Sequence, residues 1–256
     1  MTVKKSVPWY SERAGFFGPL YFVEYARALT PQRTRREVRF VIRTLGLRPG
    51  ARILDLACGH GRHSVAFARE GLDVTGQDLN RFFLESAKEA ARTEGVSVHF
   101  VRSDMRRIPF RSRFNAVVNL FTAFGYLGSD VEDAKVIQQV AKSLKPGGRF
   151  LIDTQNREWL MRHYRRSRNE RLPSGVVVTS ERRFDFETGR NQEIRTYRLS
   201  NGRKKVFKLD MRFYALNEVI RMLADAGLSY ERAYGDFNGR PYSMDSRRMI
   251  VVARKP

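Results

Sequence analysis

Apolar residues fall into short runs separated by helical patterns over the first 150 positions. The runs lie at 52–57, 72–77, 97–102, 114–120 and 148–153. Runs of this length predict buried strands. Helical spacing of apolar positions occurs at 62–70, 81–94 and 131–144, whereas 103–113 indicates a loop. This alternation predicts an α/β fold with a Rossmann-like, doubly wound and mostly parallel sheet.

A helical segment is expected before this core. Aromatic residues are frequent between positions 8 and 22, and the phrase ThrProGlnArgThr begins at Thr30. Threonine is a good helix N-cap, and proline at position 31 suits the first helical turn. We expect that helix to run to Leu47, where ArgProGly stops it.

After Asp153 the strand–helix alternation ends. A basic helix starts near Asn156, and three antiparallel strands are predicted at 175–187, 190–199 and 204–214. Turns ending in Gly189 and Gly202 join these strands. A helix at 216–226 and strands at 229–234 and 248–253 are expected to return to the main sheet.

The first predicted strand leads into a glycine turn and then a helix. The stretch 53–64 is IleLeuAspLeuAlaCysGlyHisGlyArgHisSer, so Gly59 and Gly61 are followed by Ser64 where a dinucleotide fingerprint has a third glycine. Asp55 stands four residues before Gly59. A carboxylate there repels a pyrophosphate and attracts an ammonium or sulfonium, which favours a cationic nucleoside ligand.

Two further carboxylates end the next two predicted strands. Asp78 is placed to accept hydrogen bonds from ribose hydroxyls, and Asp104 from an adenine amino group, with Met105 against the ring. Leu120 ends the fourth strand. Any one acid of this kind is more often a helix cap or an exposed turn residue. Three acids at successive strand ends, where open α/β sheets bind ligands, favour a binding site.

With these motifs the chain resembles the class I S-adenosylmethionine-dependent methyltransferases, and most of all their glycine N-methyltransferase-like branch. The shared phrases lie at 33–37, 54–61, 153–156 and 235–237, together with the stranded insertion. The resemblance implies S-adenosylmethionine as donor and S-adenosylhomocysteine as product. It implies these donor-binding residues: Arg33, Asp55, Ala57, Cys58, Gly59, Gly61, Asp78, Leu79, Asp104, Met105, Leu120 and Tyr126.

The same resemblance gives roles to parts of the chain. Arg33 is expected to grip the methionyl carboxylate and Tyr126 to lie beside the donor. Thr122 stands where the branch has a substrate-holding asparagine, so the acceptor is left open; Thr122, Asn156 and Tyr214 are the expected acceptor contacts. We expect a single domain over 1–256: a helical lid at 1–50, a cofactor-binding core at 51–153, a substrate-side insertion at 154–214 and a return to the sheet at 215–256.

The catalytic residue is not assigned, because in-line methyl transfer needs alignment more than a dedicated base. His163, Tyr126 and Tyr21 are the candidates. No cluster of His, Cys, Asp and Glu has metal-ligand spacing, so no metal is expected. The only thiol, Cys58, lies in the glycine turn. This position argues against methylation of a pyrimidine carbon through a cysteine adduct.

Net charge keeps a second function open. The leading hypothesis is transfer to an amine or hydroxyl of a small molecule. The formal charge of +21, with 16 basic against 7 acidic residues between 157 and 212, makes an RNA-modifying methyltransferase the alternative. A non-catalytic donor-binding protein is a third hypothesis.

Location and assembly are expectations from simpler features. No apolar run approaches the roughly 20 residues of a membrane helix, and the N-terminal residues lack the apolar stretch of a signal peptide. A cytoplasmic protein with no membrane partner is therefore expected. A homo-oligomer formed through edge strands of the insertion is possible.

Overall fold

The structure, a computed structural model, describes residues 7–256. The first six residues of the predicted lid lie outside this range. In chain order the elements are α1 (Pro19–Tyr25), α2 (Pro31–Leu45), β1 (Arg52–Leu56), α3 (Arg62–Arg69), β2 (Asp73–Asp78), α4 (Arg81–Thr93), β3 (His99–Arg102), β4 (Phe114–Asn119), α5 (Asp130–Ser143), β5 (Leu144–Gln155), α6 (Arg157–Arg162), β6 (Ser167–Arg171), β7 (Val177–Asp185), β8 (Arg190–Arg198), β9 (Lys204–Arg212), α7 (Leu216–Asp225), β10 (Ser229–Tyr234) and β11 (Arg248–Arg254).

Seven strands form the main sheet in the order β10-β11-β5-β4-β1-β2-β3. All neighbours are parallel except β11, which is antiparallel to both β5 and β10. The chain order reverses between β1 and β4, where Leu54 pairs with Thr75 on one side and Val117 on the other. The predicted doubly wound, mostly parallel sheet is confirmed, and its ligand-binding crevice is expected at this reversal.

The sheet is covered on both faces because its strands are apolar on both sides. In β1, Ile53 packs into the layer that contains Phe67 of α3, whereas its neighbour Leu54 packs into the layer that contains Val136 of α5. Residues next to each other in a strand point to opposite faces, so each strand contributes to both layers. Ile53 and Leu54 are fully buried.

Before the sheet, α2 begins at the predicted residue. The Thr30 hydroxyl oxygen accepts a hydrogen bond from the backbone N–H of Arg33 at 3.3 Å. The helix ends at Leu45 rather than Leu47, because Gly46 takes the left-handed conformation at φ 63° and closes the helix end.

The insertion forms a separate antiparallel sheet with four strands, β6-β7-β8-β9, where three were expected. The additional strand β6 is SerArgAsnGluArg, which has no apolar residue and so leaves no hydrophobic pattern. It pairs along the edge of β7, with Asn169 opposite Thr179. Leu20 and Val23 of α1 pack against the buried face of this sheet. No helix within residues 7–256 has the length and apolarity to span a bilayer.

Candidate active site

A cavity lies at the carboxyl ends of β1 to β4, beneath the N-terminal aromatic segment. Ten of the twelve predicted donor-binding residues line it: Asp55, Ala57, Cys58, Gly59, Asp78, Leu79, Asp104, Met105, Leu120 and Tyr126. Arg33 and Gly61 are adjacent to the cavity without lining it. The strand ends therefore bring together most of a set that the sequence spreads over about 100 positions.

The glycine turn is shaped by close packing. Gly59 and Gly61 both have positive φ, at 55° and 77°. A Cβ on Gly61 would lie 2.7 Å from the Ala87 Cβ of α4, a separation that real side chains do not tolerate. The turn can therefore approach α4 only because this position has no side chain.

Two carboxylates, Asp55 and Asp78, face the cavity from neighbouring strands. The Ser64 hydroxyl donates to Asp55 at 2.6 Å, and burial raises the Asp55 pKa to about 6. Asp78 accepts backbone hydrogen bonds from Gly59 and Asn80, each at 2.8 Å, and burial raises its pKa as well. Neither carboxylate forms a salt bridge with any residue between 7 and 256. The floor of the cavity therefore favours a cation.

The third predicted acid, Asp104, is in a different state. Its two oxygens accept hydrogen bonds from the Arg106 guanidinium at 2.9 and 2.6 Å. Burial opposes ionisation, but the hydrogen bonds from Arg106 outweigh it and lower the Asp104 pKa. Asp104 thus lines the cavity beside Met105 with its charge already balanced.

A cluster of side chains with a net positive charge lies beside the glycine turn. Glu37 of α2 is buried and bonds Arg33 at 2.6 Å, Arg62 at 2.6 Å and His63 at 2.8 Å. Although burial opposes it, the bond to His63 and the two arginines hold the Glu37 pKa well below its usual range. The Arg62 Nη2 atom is buried and has no hydrogen-bond partner among the described residues. Arg62 lines the cavity, so this nitrogen is available to an anionic ligand group.

The wall opposite the strand ends is aromatic. The six aromatic side chains that line it are Tyr10, Phe17, Tyr21, Phe83, Phe121 and Tyr126. Burial raises the pKa of Tyr21 and of Tyr126, so both phenols stay protonated near neutral pH. His60, also in the lining, contacts Phe22 edge to face at 5.1 Å, and burial lowers its pKa to about 4. The imidazole is therefore neutral.

The predicted acceptor contacts lie elsewhere. The Thr122 hydroxyl accepts a hydrogen bond from Arg248 at 2.9 Å, outside the cavity lining. Tyr214 packs into the core beside Phe124 and donates to the buried Asp133 at 2.8 Å. Neither side chain lines the cavity, and both are held by these hydrogen bonds.

Asn156 and His163, at the two ends of α6, are also outside the lining. Asn156 is the N-cap of α6, and its amide nitrogen donates to the carbonyls of Ser243 and Ser246 at 3.0 and 2.7 Å. His163 is exposed and stacks on Trp159 at 4.3 Å. Asn156 therefore caps α6, and His163 is exposed to solvent.

Known proteins are similar to this chain over different shares of its length. A family model described as a methyltransferase domain matches residues 53–148. The glycine/sarcosine N-methyltransferase of Aphanothece halophytica is 28% identical over 225 residues, which span 87% of this chain and 83% of that protein. The ubiquinone biosynthesis O-methyltransferase of Erwinia tasmaniensis is 33% identical over 115 residues, 44% of this chain and 46% of that protein.

A solved structure extends the likeness to the whole fold. The S-adenosylmethionine-bound amino pentose methyltransferase CalS10 of Micromonospora echinaspora superposes with a TM-score of 0.70 at 23% identity, covering 93% of this chain and 98% of that chain. The chain belongs to the class I S-adenosylmethionine-dependent methyltransferases. S-adenosylmethionine is therefore the methyl donor of this methyltransferase.

The charges of the methyltransferase cavity fit that donor. S-adenosylmethionine carries a sulfonium, an ammonium and one carboxylate. The cavity offers two carboxylates without ion pairs, Asp55 and Asp78, and the unpartnered guanidinium nitrogen of Arg62.

Two cavity residues of the methyltransferase leave no signal in the sequence pattern. Arg62 is the first residue of α3, where a basic side chain usually faces solvent. Phe121 follows β4 with a left-handed backbone at φ 64°, which its sequence does not indicate. The guanidinium carbons of Arg33 and Arg62 each lie 5.1 Å from the Phe121 ring centre. Only the folded chain reveals this group.

Proposed function

We propose that this methyltransferase transfers the methyl group to an amine nitrogen of a small molecule held against the aromatic wall. The observation that carries the proposal is the chemistry of that wall. Tyr21, Phe121 and Tyr126 contribute aromatic rings to it, and no group on the wall has a pKa that suits a general base. Aromatic faces attract cations such as a sulfonium or a newly formed ammonium.

The donor would be held by the strand ends. Asp78 uses one lone-pair site on each oxygen for the backbone N–H groups of Gly59 and Asn80, which leaves further sites for two ribose hydroxyls. Asp55 would face the positive part of the amino-acid arm, and Arg62 its carboxylate, with Arg33 alongside. Met105 and Leu79 supply apolar surface for the adenine.

An amine acceptor needs no base during methyl transfer, provided that it arrives unprotonated. A hydroxyl acceptor needs a group that removes its proton as the bond forms, with a pKa near the working pH. His60, at a pKa of about 4, is too weak a base, and His63 is occupied by Glu37. The Asp55 pKa is about 6, but this residue lies on the donor side and accepts from Ser64. The cavity therefore favours nitrogen over oxygen.

The extent of similarity supports the same choice. The glycine/sarcosine N-methyltransferase aligns along 87% of this chain, so the alignment extends beyond the cofactor-binding core. The ubiquinone O-methyltransferase aligns over less than half. CalS10, whose whole fold matches, methylates an amino pentose. None of these proteins supports the RNA alternative, and none gives grounds for proposing an oligomer.

Matched acceptors test the proposal. The full chain is incubated with methyl-labelled S-adenosylmethionine and pairs that differ in one group, such as glucosamine against glucose and glycine against glycolate. We expect labelled product only from amine members, each gaining one methyl by mass spectrometry with S-adenosylhomocysteine released. Methylation of the hydroxyl partners, or of transfer RNA, would contradict the proposal.

A pair of variants tests the role of the wall. Tyr126→Phe keeps the ring and removes the hydroxyl, so we expect kcat within about threefold of the parent if the phenol is no base. Tyr126→Ala removes the ring and should lower kcat/KM by about tenfold or more, the scale of a desolvated cation–π contact. A loss in Tyr126→Phe as large as that in Tyr126→Ala would assign the hydroxyl a catalytic role.

A further inference from the structure

Two consecutive residues after β4 adopt a backbone conformation that neither prefers. Phe121 has φ 64° and Thr122 has φ 63°, both in the left-handed region. A bulky aromatic and a β-branched residue rarely occur there, and such a turn persists only where its surroundings enforce it. Left-handed residues of this kind concentrate at functional sites, so the contacts that enforce this turn are informative.

Asp153 of β5 holds both residues. One carboxylate oxygen of Asp153 accepts from the Phe121 N–H at 2.9 Å, and its backbone carbonyl accepts from the Thr122 N–H at 3.0 Å. The Asp153 side chain is 2% exposed, so these bonds are sheltered from water. Both backbone N–H groups of the turn are thereby paired.

Arg248 of β11 completes the arrangement. Its Nε donates to the other Asp153 carboxylate oxygen at 2.7 Å, and its Nη2 donates to the Thr122 hydroxyl at 2.9 Å. A single guanidinium thus ties Asp153 to Thr122, a geometry that a lysine ammonium does not reproduce. We call Asp153, Arg248 and Thr122 the β4 clamp.

The turn determines where the Phe121 ring lies. That ring contacts the guanidinium groups of both Arg33 and Arg62, and Arg62 carries the buried nitrogen that has no partner among the described residues. None of the three clamp residues lines the cavity, whereas Phe121 and Arg62 do. The clamp can therefore act on a ligand only indirectly, and Phe121 is the lining residue to which it is hydrogen-bonded.

We propose that the β4 clamp is the positioning element for the amino-acid arm of S-adenosylmethionine, acting through Phe121 on Arg62. Asp153, Arg248 and Thr122 are positioning residues, since they touch neither donor nor acceptor. The inference rests on the donor orientation proposed above and does not depend on the acceptor. The clamp should affect binding of the amino-acid arm and not of the adenosine, because the adenosine would be held by other residues at the ends of β2 and β3.

Two ligands distinguish this role from general support of the sheet. S-adenosylhomocysteine has the full amino-acid arm, whereas 5′-methylthioadenosine has the adenosine and the sulfur without it. Both are titrated calorimetrically into the parent chain, Arg248→Lys and Thr122→Val. We expect Arg248→Lys to weaken S-adenosylhomocysteine about tenfold, the scale of one charge-assisted hydrogen bond, and 5′-methylthioadenosine less than about twofold.

Thr122→Val removes only one hydroxyl, so it keeps the test available if Arg248→Lys does not fold. We expect it to weaken S-adenosylhomocysteine about threefold with the same selectivity, as for one neutral hydrogen bond. Glu231→Gln is the control, because it breaks the Arg149–Glu231 salt bridge of the same sheet far from the turn. It should leave both affinities unchanged.

Equal weakening of both ligands by the clamp variants, or weakening of neither, would overturn the inference. Arg62→Met is titrated in parallel to test the donor orientation itself. If Arg62→Met weakens S-adenosylhomocysteine selectively and the clamp variants do not, the clamp fails while the orientation stands. If Arg62→Met affects both ligands equally, the orientation fails and the clamp inference falls with it.

Discussion

The two sides of the cavity are built by different means. On the donor side, short backbone turns and their own strand-end acids make the site, as when Asp78 accepts the Gly59 N–H at 2.8 Å. On the lid side, aromatic rings from distant parts of the chain meet, as when Trp9 contacts Tyr126 at 4.7 Å. The first arrangement follows from strand order, whereas the second exists only once the lid and insertion have packed.

The lid is fixed to the insertion sheet by buried charge. Arg195 of β8 bonds Glu24 of α1 at 3.1 Å and Glu193 at 2.8 Å, and it donates to the Tyr25 hydroxyl at 3.1 Å. Tyr197 also donates to Glu24. A substrate wall attached in this way can change with the lid and insertion while the donor side stays the same. In keeping with such a division, the ubiquinone biosynthesis O-methyltransferase aligns with only 44% of this chain.

The largest expected effect is on the donor side, at Asp78. Losing the two proposed hydrogen bonds from ribose hydroxyls should cost roughly 1.5–3 kcal/mol per bond, or about 3–6 kcal/mol in all, so Asp78→Ala should weaken S-adenosylmethionine about a hundredfold to ten-thousandfold. S-adenosylhomocysteine carries the same ribose and should weaken alike. Calorimetric titration measures both.

Asp73→Ala is the matched control for Asp78→Ala, because it removes an acid from the exposed start of the same strand, where Asp73 pairs with Arg52 at 3.2 Å. Donor affinity should be unchanged there. The helix after β2 is capped by Asn80, which accepts from Phe83 N–H at 3.2 Å, so Asp78 is not its cap. An Asp78→Ala variant with a lower melting temperature but the donor affinity of the parent would contradict the proposed site.

A second prediction compares glycines on the two sides. Gly61→Ala introduces both left-handed strain and a Cβ 2.7 Å from that of Ala87. We expect a loss of about 2–4 kcal/mol of unfolding free energy from strain plus overpacking, measured by urea denaturation. Gly175→Ala, in the insertion, has similar strain at φ 82° but open space around the new Cβ. It should cost only about 1 kcal/mol; equal losses would disprove the packing argument.

Sequence was sufficient for most of the donor side because its groups are local. Asp55 lies in β1, Gly59 follows that strand and Asp78 ends β2, and parallel strands place their carboxyl ends together. Arg62 escapes such reasoning, since its position depends on Glu37, which lies 25 residues earlier, on α2. The fold class followed from the same strand–helix alternation.

The lid side could be predicted only in part. Aromatic residues were evident at 8–22, but which ring meets which depends on tertiary packing. Strand β6 has no apolar pattern, so its presence depends on pairing with β7. Asn156 and Tyr214 have the chemistry of ligand contacts, yet Asn156 caps a helix and Tyr214 bonds a buried acid. Residue type alone cannot tell these uses apart.

The third prediction concerns pH on the donor side. Burial holds the Asp55 pKa at about 6, so this group is ionised at pH 7 and mostly protonated at pH 5. A cationic donor prefers the ionised form, so its affinity should fall about tenfold from pH 7 to pH 5, as expected for one proton. His60 and His63, whose pKa values are both about 4, stay neutral over that range.

Proton release provides the direct measurement for Asp55. Titrations at pH 5.5 in two buffers of different ionisation enthalpy should show protons leaving on binding, and Asp55→Asn should abolish the release. The folding stability of the unliganded chain depends on pH in the opposite direction to its donor affinity. Because folding raises this pKa from 3.8 to about 6, the group favours the folded state as pH falls through that interval. Proton uptake on binding would refute the assignment.

The smallest expected effect lies on the lid side. Tyr197→Phe removes the hydrogen bond to Glu24 and leaves the Arg195–Glu24 contact, so unfolding free energy should fall by about 1 kcal/mol. Donor affinity should not change, because Tyr197 lies outside the cavity. Local opening of the lid should rise about fivefold, seen as faster tryptic cleavage after the exposed Arg13 and Arg27.

Tyr230→Phe is the control for Tyr197→Phe, because Tyr230 is 39% exposed on β10; this variant should change neither the stability, the donor affinity nor the tryptic cleavage. Loss of donor affinity in Tyr197→Phe would show that the two sides of the cavity are coupled rather than separate.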